Sequence, residues 1–190
     1  MLYSYIVNEV INLKLYVVRH GQTIINVKKL INARNIIGIN KKGKQEAENA
    51  AKQIKNEKID LIICSPLRRT KQTCKIINKN KTKVIYDKRI LERNSRSMQF
   101  QLIEKLDFNQ WYDTNKEKVY KNSEGFKSIL ERVKSFLEEM KIKYPDKSIL
   151  IVTHGDICKA IYAYLNNIKD AKEISLFNQK NCEIKKYEIN

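Results

Sequence analysis

The chain has 190 residues, a length at which folding buries about 70% of the surface that the unfolded chain exposes, so one domain with a substantial core is expected. Hydrophobic residues at 42% and charged residues at 31% are the proportions of an ordinary globule and exclude a disordered chain. Lys and Arg outnumber Asp and Glu by 38 to 21, a formal charge of +17 that attracts anions, but no RNP motif, zinc finger or Arg-rich arm accompanies it, so the charge reads as a solvated surface and nucleic acid is not expected as a partner.

Residues 1–12, MLYSYIVNEVIN, lack the cationic start of a signal peptide and read as a short extension. The first strand is LYVV, 15–18, followed at once by Arg19, His20 and Gly21. Ala47, Ala50, Ala51 and Ile54 then recur at helical spacing after the turn KKGK. IDLIIC, 59–64, is a second strand and leads into CSPLRRT, where Pro66 can start a helix that runs from about Leu67 to Asn78 and carries Arg68 and Arg69 in its first turn. KVIY, 83–86, is a third strand.

Residues 94–122 follow no clean period and read as a lid over one end of the sheet, with Arg96, Trp111 and Tyr112 as possible substrate contacts. Phe126, Ile129, Leu130, Val133, Leu137 and Met140 share a helix face, for which Ser123 is the expected N-cap and Glu124 a favourable charge in the first turn. SILIVT, 148–153, is a strand ending at His154 and Gly155, with a helix from about Asp156 to Leu165 behind it. The alternating CEIKKYEI, 182–189, suits an edge strand, whereas the continuous runs LIIC and ILIV suit central strands covered on both faces. Strands alternating with helices predict an α/β fold: a three-layer α/β/α sandwich with a mostly parallel central sheet and an antiparallel edge strand.

The four cysteines form no CxxC pair, and three lie in or beside apolar segments, as packed free thiols do; a reducing, cytoplasmic setting is expected. No apolar run approaches the ~20 residues that span a bilayer, so no membrane partner is expected.

Only two histidines are present, and each ends an apolar strand with glycine after it, in VVRHG and IVTHG. Ligands of open parallel sheets bind beyond the carboxyl ends of the strands, so both imidazoles are expected at one edge, joined there by Arg19 and Arg69. Glycine at 21 and 155 would let backbone or ligand approach closely. Two histidines without a matching Asp, Glu or Cys make an incomplete zinc shell. Planar guanidinium forks match the oxygens of a phosphoryl group, and the constellation points to phosphate.

RHGQT with Asn26 following, INKKGKQEAENAAKQI leading to IDLIICSPLRRTKQT, ILER at 90–93, SEGFKSILERV and ILIVTHG together resemble the histidine phosphatase superfamily, its phosphoglycerate-mutase-like branch, over nearly the whole chain after the first dozen residues. The resemblance implies that His20 is phosphorylated during turnover, that Arg19, Arg69 and His154 complete a phosphate pocket, that Glu92 is the proton donor, and that Thr23 and Asn26 contact phosphate or substrate, with a simple turn role open for Thr23. Positive charge around His20 should depress its pKa, and partial burial should raise that of Glu92.

The sequence departs from the family pattern at Gln22, at Gly125, and in NSRSMQF, where Arg96 stands at an expected glycine and the residues that usually fix the loop after Glu92 are missing. The expected activity is that of a metal-independent phosphomonoesterase of a phosphorylated small molecule, without cofactor, as a monomer or a homodimer paired through the last strand. A phosphoglycerate mutase and a catalytically impaired phospholigand-binding protein remain the alternatives.

Overall fold

The structure, a computed structural model, describes residues 12–189, so nearly all of the expected N-terminal extension lies outside the described residues. Five strands form one sheet: β1 (Leu13–Arg19), β2 (Leu61–Cys64), β3 (Val84–Tyr86), β4 (Ser148–Thr153) and β5 (Ile184–Ile189). Their order is β3-β2-β4-β1-β5, with β5 antiparallel to β1 and the other pairings parallel. The expected sandwich and its antiparallel edge are both present.

Each central strand sends alternate residues into separate cores. Leu15, Val17, Ile63, Ile149 and Ile151 face α5 (Phe126–Lys143) and α6 (Gly155–Leu165). Tyr16, Val18, Ile62, Leu150 and Val152 face α2 (Lys41–Gln53) and α3 (Arg68–Ile77). Burial on both faces is why these strands are apolar without alternation, each fully buried Val, Leu or Ile contributing about 1.5–3 kcal/mol. The alternation of β5 reflects its place at the sheet edge, where most of its residues are partly exposed. All four cysteines are buried free thiols. Among the described residues no helix is long and apolar enough to cross a membrane.

One helix start differs from expectation. The N-cap of α5 is Gly125, not Ser123. Ser123 bridges to Ser95, Glu124 N–H donates to the Asn94 carbonyl at 2.7 Å and Gly125 N–H to that of Glu117 at 2.6 Å, so lateral pairing holds residues 123–125 extended and delays the helix. A side chain at Gly125 would lie 2.0 Å from the Lys116 carbonyl oxygen, which accounts for glycine there. Helix α3 begins at Arg68 with Leu67 as N-cap, as expected, and the Thr70 hydroxyl ties its start to the Ser65 and Leu67 carbonyls.

Three short helices, α1 (Ile24–Val27), α4 (Phe108–Trp111) and α7 (Ala171–Leu176), have too few turns to show a period in sequence. Of these, α1 is closed by a capping box in which Thr23 Oγ1 accepts from Asn26 N–H and Asn26 Oδ1 accepts from Thr23 N–H.

Gly21 has a different reason from the one the strand end suggests. A Cβ on it would stand 2.5 Å from the Gly43 carbonyl oxygen, and a Cβ on Gly43 would stand 2.3 Å from that of Gln22. The two glycines let the first turn of α2 touch the end of β1 backbone to backbone. Alanine at Gly43 gains up to about 1 kcal/mol of helix propensity but must displace main chain, so Gly43→Ala is expected to lower stability by about 1–3 kcal/mol in urea unfolding.

Candidate active site

The parallel register of β1 and β4 sets Arg19 opposite Thr153, so the next residue on each strand is a histidine. His20 N–H donates to the Thr153 carbonyl at 2.9 Å, and the imidazoles of His20 and His154 meet edge to face with ring centres 5.3 Å apart. Both are fully buried. They stand at the carboxyl edge of the sheet, where Arg19, His20, Glu92 and Gly155 line a cavity of about 260 Å³.

His20 Nδ1 lies 2.9 Å from the Gly21 carbonyl oxygen. A carbonyl can only accept, which assigns the proton to Nδ1 and leaves the lone pair on Nε2. Burial is the largest influence on this imidazole and, followed by Arg69 and Arg19, pushes its pKa well below the ordinary value of 6.5. The depression expected from charge is thus present, with desolvation as its first cause. His154 is lowered well below the same value by burial, then Arg69 and His20. Its Nε2 is 2.7 Å from Ser65 Oγ, and its buried Nδ1 has no partner within the protein. With the Ser65 hydroxyl donating to Nε2, a neutral His154 keeps a free N–H donor at Nδ1.

Arg69 is completely buried. Its Nη2 donates to the Ala33 carbonyl at 2.7 Å and Nη1 to that of Asn35 at 3.4 Å. Burial draws its pKa down to about 10, opposed by Glu92 and assisted by Arg19, so it stays charged at neutral pH. Ala33 takes φ 47°, a left-handed backbone that only a determined surrounding imposes on a non-glycine residue. Arg19 Nη1 donates to the Gln179 carbonyl at 3.0 Å. The loop before β5 fixes this strand end further, because Gln179 Nε2 donates to the Val17 carbonyl and Asn181 Nδ2 to that of His20.

Glu92 is buried, and its Oε1 accepts from Arg93 N–H at 3.0 Å. Burial first and then Asp156 raise its pKa above the ordinary 4.5, against the pull of Arg69 and Arg19. The missing Gly-rich pattern after Glu92 is replaced by an ion network. Arg34 Nε donates to the Glu92 carbonyl at 2.7 Å, while Glu124 accepts from Asn94 N–H at 2.9 Å and is bridged by Arg132 at 2.7 Å and by Arg34 at 3.3 Å. Glu124 therefore anchors the loop that carries Glu92 instead of serving the first turn of α5.

Of the remaining predicted positions, Asn26 lines the cavity, whereas Thr23 is buried behind it, capping α1 and accepting from Asn32 Nδ2 at 3.2 Å. Gly155 opens α6, and a Cβ there would meet the Arg19 guanidinium at an ordinary 3.6 Å, so its bareness keeps space beside that cation. Trp111 and Tyr112 line the cavity; Arg96 is exposed in a separate open groove, and Arg68 is exposed on the surface. Sequence reading missed Ser65, Gln179, Arg93, Asp156 and Lys159. Only Ser65 carried a signal, as the first residue past LIIC. A second cavity, of about 310 Å³ at the opposite end of β2, holds none of the predicted residues. Among the described residues no three His, Cys, Asp or Glu side chains are grouped as metal ligands would be.

The sequence profile of the histidine phosphatase superfamily (branch 1) matches residues 15–190. The chain belongs to this superfamily. Phosphoserine phosphatase 1 of Hydrogenobacter thermophilus is 26% identical over 183 residues, covering 93% of this chain and 85% of the relative. Among solved histidine phosphatase folds, phosphoserine phosphatase from Entamoeba histolytica in complex with 3-phosphoglyceric acid superposes with a TM-score of 0.79 at 23% identity, over 92% of this chain and 89% of that one. Mycobacterial glucosyl-3-phosphoglycerate phosphatase complexed with VO3 gives 0.78 at 21% identity, over 91% and 90%.

For this superfamily member the buried imidazoles make a prediction about stability. Their folded pKa values lie below 6.5, so between those values and 6.5 these two side chains bind more protons in the unfolded chain than in the folded one. The contribution of the imidazoles to stability is expected to fall as pH drops from 7 to 5, opposed by Glu92, whose raised pKa acts in the other sense, and His20→Asn is expected to lessen the loss of stability toward pH 5. Urea unfolding at half-unit pH steps checks it; an unchanged slope in the variant contradicts the buried neutral His20.

Proposed function

We propose that the chain is a phosphomonoesterase that transfers the phosphoryl group of a small phosphorylated molecule to His20 and then to water. The observation that carries this reading is the pair of buried, neutral imidazoles 5.3 Å apart at adjacent strand ends, with an unprotonated Nε2 on His20 and two arginines beside them. Membership of the superfamily supports it, as does the naming of relatives as phosphatases.

In the first step the Nε2 lone pair attacks phosphorus in line and the ester P–O bond breaks. Glu92, which burial biases toward its protonated form, gives its proton to the leaving alkoxide. The phosphorylated imidazole carries positive charge while Nδ1–H remains bonded to the Gly21 carbonyl, an arrangement already present in the free protein. In the second step the Glu92 carboxylate takes a proton from water, water oxygen bonds to phosphorus, and the N–P bond breaks to return neutral His20 and inorganic phosphate.

Arg19, Arg69 and the Nδ1–H of His154 stabilise charge on the equatorial oxygens, contacts of a kind whose loss costs roughly 10²–10³-fold in rate. The guanidinium groups supply this charge without a metal ion. Gly155 and Asn26 border the space that the ester occupies. Thr23 acts on the substrate through Asn26, whose position it fixes.

His20→Ala is expected to abolish phosphate release from every phosphomonoester, and rates equal to wild type would overturn the proposal. Glu92→Gln is expected to slow alkyl phosphates by roughly 10²–10⁴-fold and p-nitrophenyl phosphate far less, because nitrophenolate leaves without a proton. With 3-phosphoglycerate, free phosphate is expected; accumulation of the 2-isomer in its place would make the chain a mutase.

A further inference from the structure

One lysine ties the last helix to the wall of the cavity. Lys159 of α6 lines the cavity, and its ammonium donates to the Ile174 carbonyl at 3.0 Å, to that of Ser175 at 2.8 Å and to that of Phe177. The last carbonyls of a helix have no partner within it, and these three belong to the end of α7 and its C-cap. An ammonium has three donors and no acceptor, so all of its hydrogen-bonding capacity is spent there. The Tyr112 ring, just past α4, lies 5.0 Å from the same nitrogen.

Helix α7 depends on such contacts. Its six residues are too few to persist as a helix on their own, and Ile174 is its one fully buried side chain. Phe177, at its end, stacks on Tyr162 of α6 with ring centres 4.1 Å apart. The chain then passes Asn178, which lines the cavity, and reaches Gln179, whose carbonyl accepts from Arg19 Nη1 at 3.0 Å. That carbonyl is the one hydrogen-bond partner of the Arg19 guanidinium among the described residues, and Arg19 Nε is buried without any. Gln179 is thus held from β1 by its side chain and from α7 through Phe177, two residues before it.

The surroundings of Lys159 make its charge conditional. Asp156, on the same helix, is engaged elsewhere, 2.7 Å from Arg93 Nε and accepting from the Tyr112 hydroxyl at 3.1 Å. The groups facing the ammonium are Asp156 and Cys158 on α6, Arg19 on β1 and Tyr112, whereas α7 turns backbone carbonyls to it and leaves Lys172 and Glu173 in solvent. Burial raises the Cys158 thiol and the Tyr112 phenol, which stay neutral. Burial is also the largest influence on Lys159 and, opposed by Asp156 and assisted by Arg19, draws its pKa from 10.5 down to about 8. A neutral amine keeps two N–H donors and turns a lone pair toward the third carbonyl, so loss of the proton breaks at least one of the three anchors. Because the folded pKa lies below that of an unfolded lysine, this loss does not itself favour unfolding.

We infer that Lys159 is a positioning residue: its ammonium pins the end of α7 so that the Gln179 carbonyl holds Arg19 in place for phosphate, and the site grips phosphate fully only while that ammonium is charged. This rests on the phosphomonoesterase reading of the same cavity.

Calorimetric titration with inorganic phosphate between pH 7 and 9 tests the inference without turnover. Wild type is expected to lose about tenfold in affinity over that range, following the charged fraction of Lys159. Lys159→Arg, whose guanidinium stays charged and can donate to several carbonyls, is expected to bind within about threefold of wild type at pH 7 and to lose less than about threefold by pH 9. Glu92, Arg69 and phosphate itself are common to both proteins, so the difference between the profiles reports Lys159. Lys159→Met is expected to bind about tenfold more weakly at pH 7, with urea unfolding to show that the chain is folded. A flat wild-type profile overturns the inference whether or not the variants fold, as do parallel profiles in wild type and Lys159→Arg, or undiminished affinity in Lys159→Met.

The two readings fail separately. The expected titrations without His20-dependent phosphate release would uphold the positioning role and sink the phosphatase, and His20-dependent release with a flat wild-type profile would do the reverse.

Discussion

The backbone pairing of β1 with β4 is the constraint on which the site depends. Because Arg19 faces Thr153 in a parallel ladder, two residues more than a hundred positions apart in the chain leave the sheet side by side, and both are histidine. A one-residue slip would carry one imidazole to the opposite face of the sheet, since side chains alternate with period 2. The slip is resisted by the core on both faces, where Val17 and Ile151 pack toward α5 and α6 while Val18 and Val152 pack toward α2 and α3. Residues of the two cores thus set the spacing of the two imidazoles.

Burial then does chemical work that charge alone would not. Removing His20 and His154 from water favours their neutral forms, and the same exclusion favours the neutral form of Glu92. One environment therefore favours unprotonated imidazoles and a protonated carboxyl together, the combination that the proposed reaction needs. The arginines alone would push the imidazoles toward neutrality but would pull Glu92 toward its ionised form, as Arg69 and Arg19 do here against the larger effect of desolvation. Stability is given up for this, in that three ionisable groups are held away from the protonation state that water would favour at some pH.

The strands, the two long helices and the strand-end histidines were legible in the sequence because burial on two faces and helical periodicity both leave patterns over many residues. The reason for Gly21 was not legible. A strand-end glycine before a polar turn looks the same whether it makes room for a ligand or for another backbone, and only the contact with Gly43 distinguishes them. The start of α5 was misplaced because Ser123 followed by an acidic residue looks like a cap, while the lateral bonds from Glu124 to Asn94 and from Gly125 to Glu117 that keep it extended join segments with no local pattern. Arg93 and Asp156 were invisible for a similar reason: a charged residue beside a predicted site is indistinguishable in sequence from one on a solvated surface until its burial is known.

The segment after Glu92 departs from the family's pattern and is held by other means. Where a Gly-rich loop would owe its position to permissive backbone, this chain uses Arg34 on the Glu92 carbonyl and a Glu124 carboxylate shared between Arg132 and Arg34, with Asn94 bonded to Glu124 in both directions. Paired charges at this depth are costly to separate once one partner is removed, because the other is left partly desolvated. The loop is held by electrostatics where tight turns would otherwise hold it, and Arg96, at the position expected to be glycine, is free to face solvent because nothing there requires a bare backbone. The restraint on the loop after Glu92 thus comes from a residue 32 positions further along the chain.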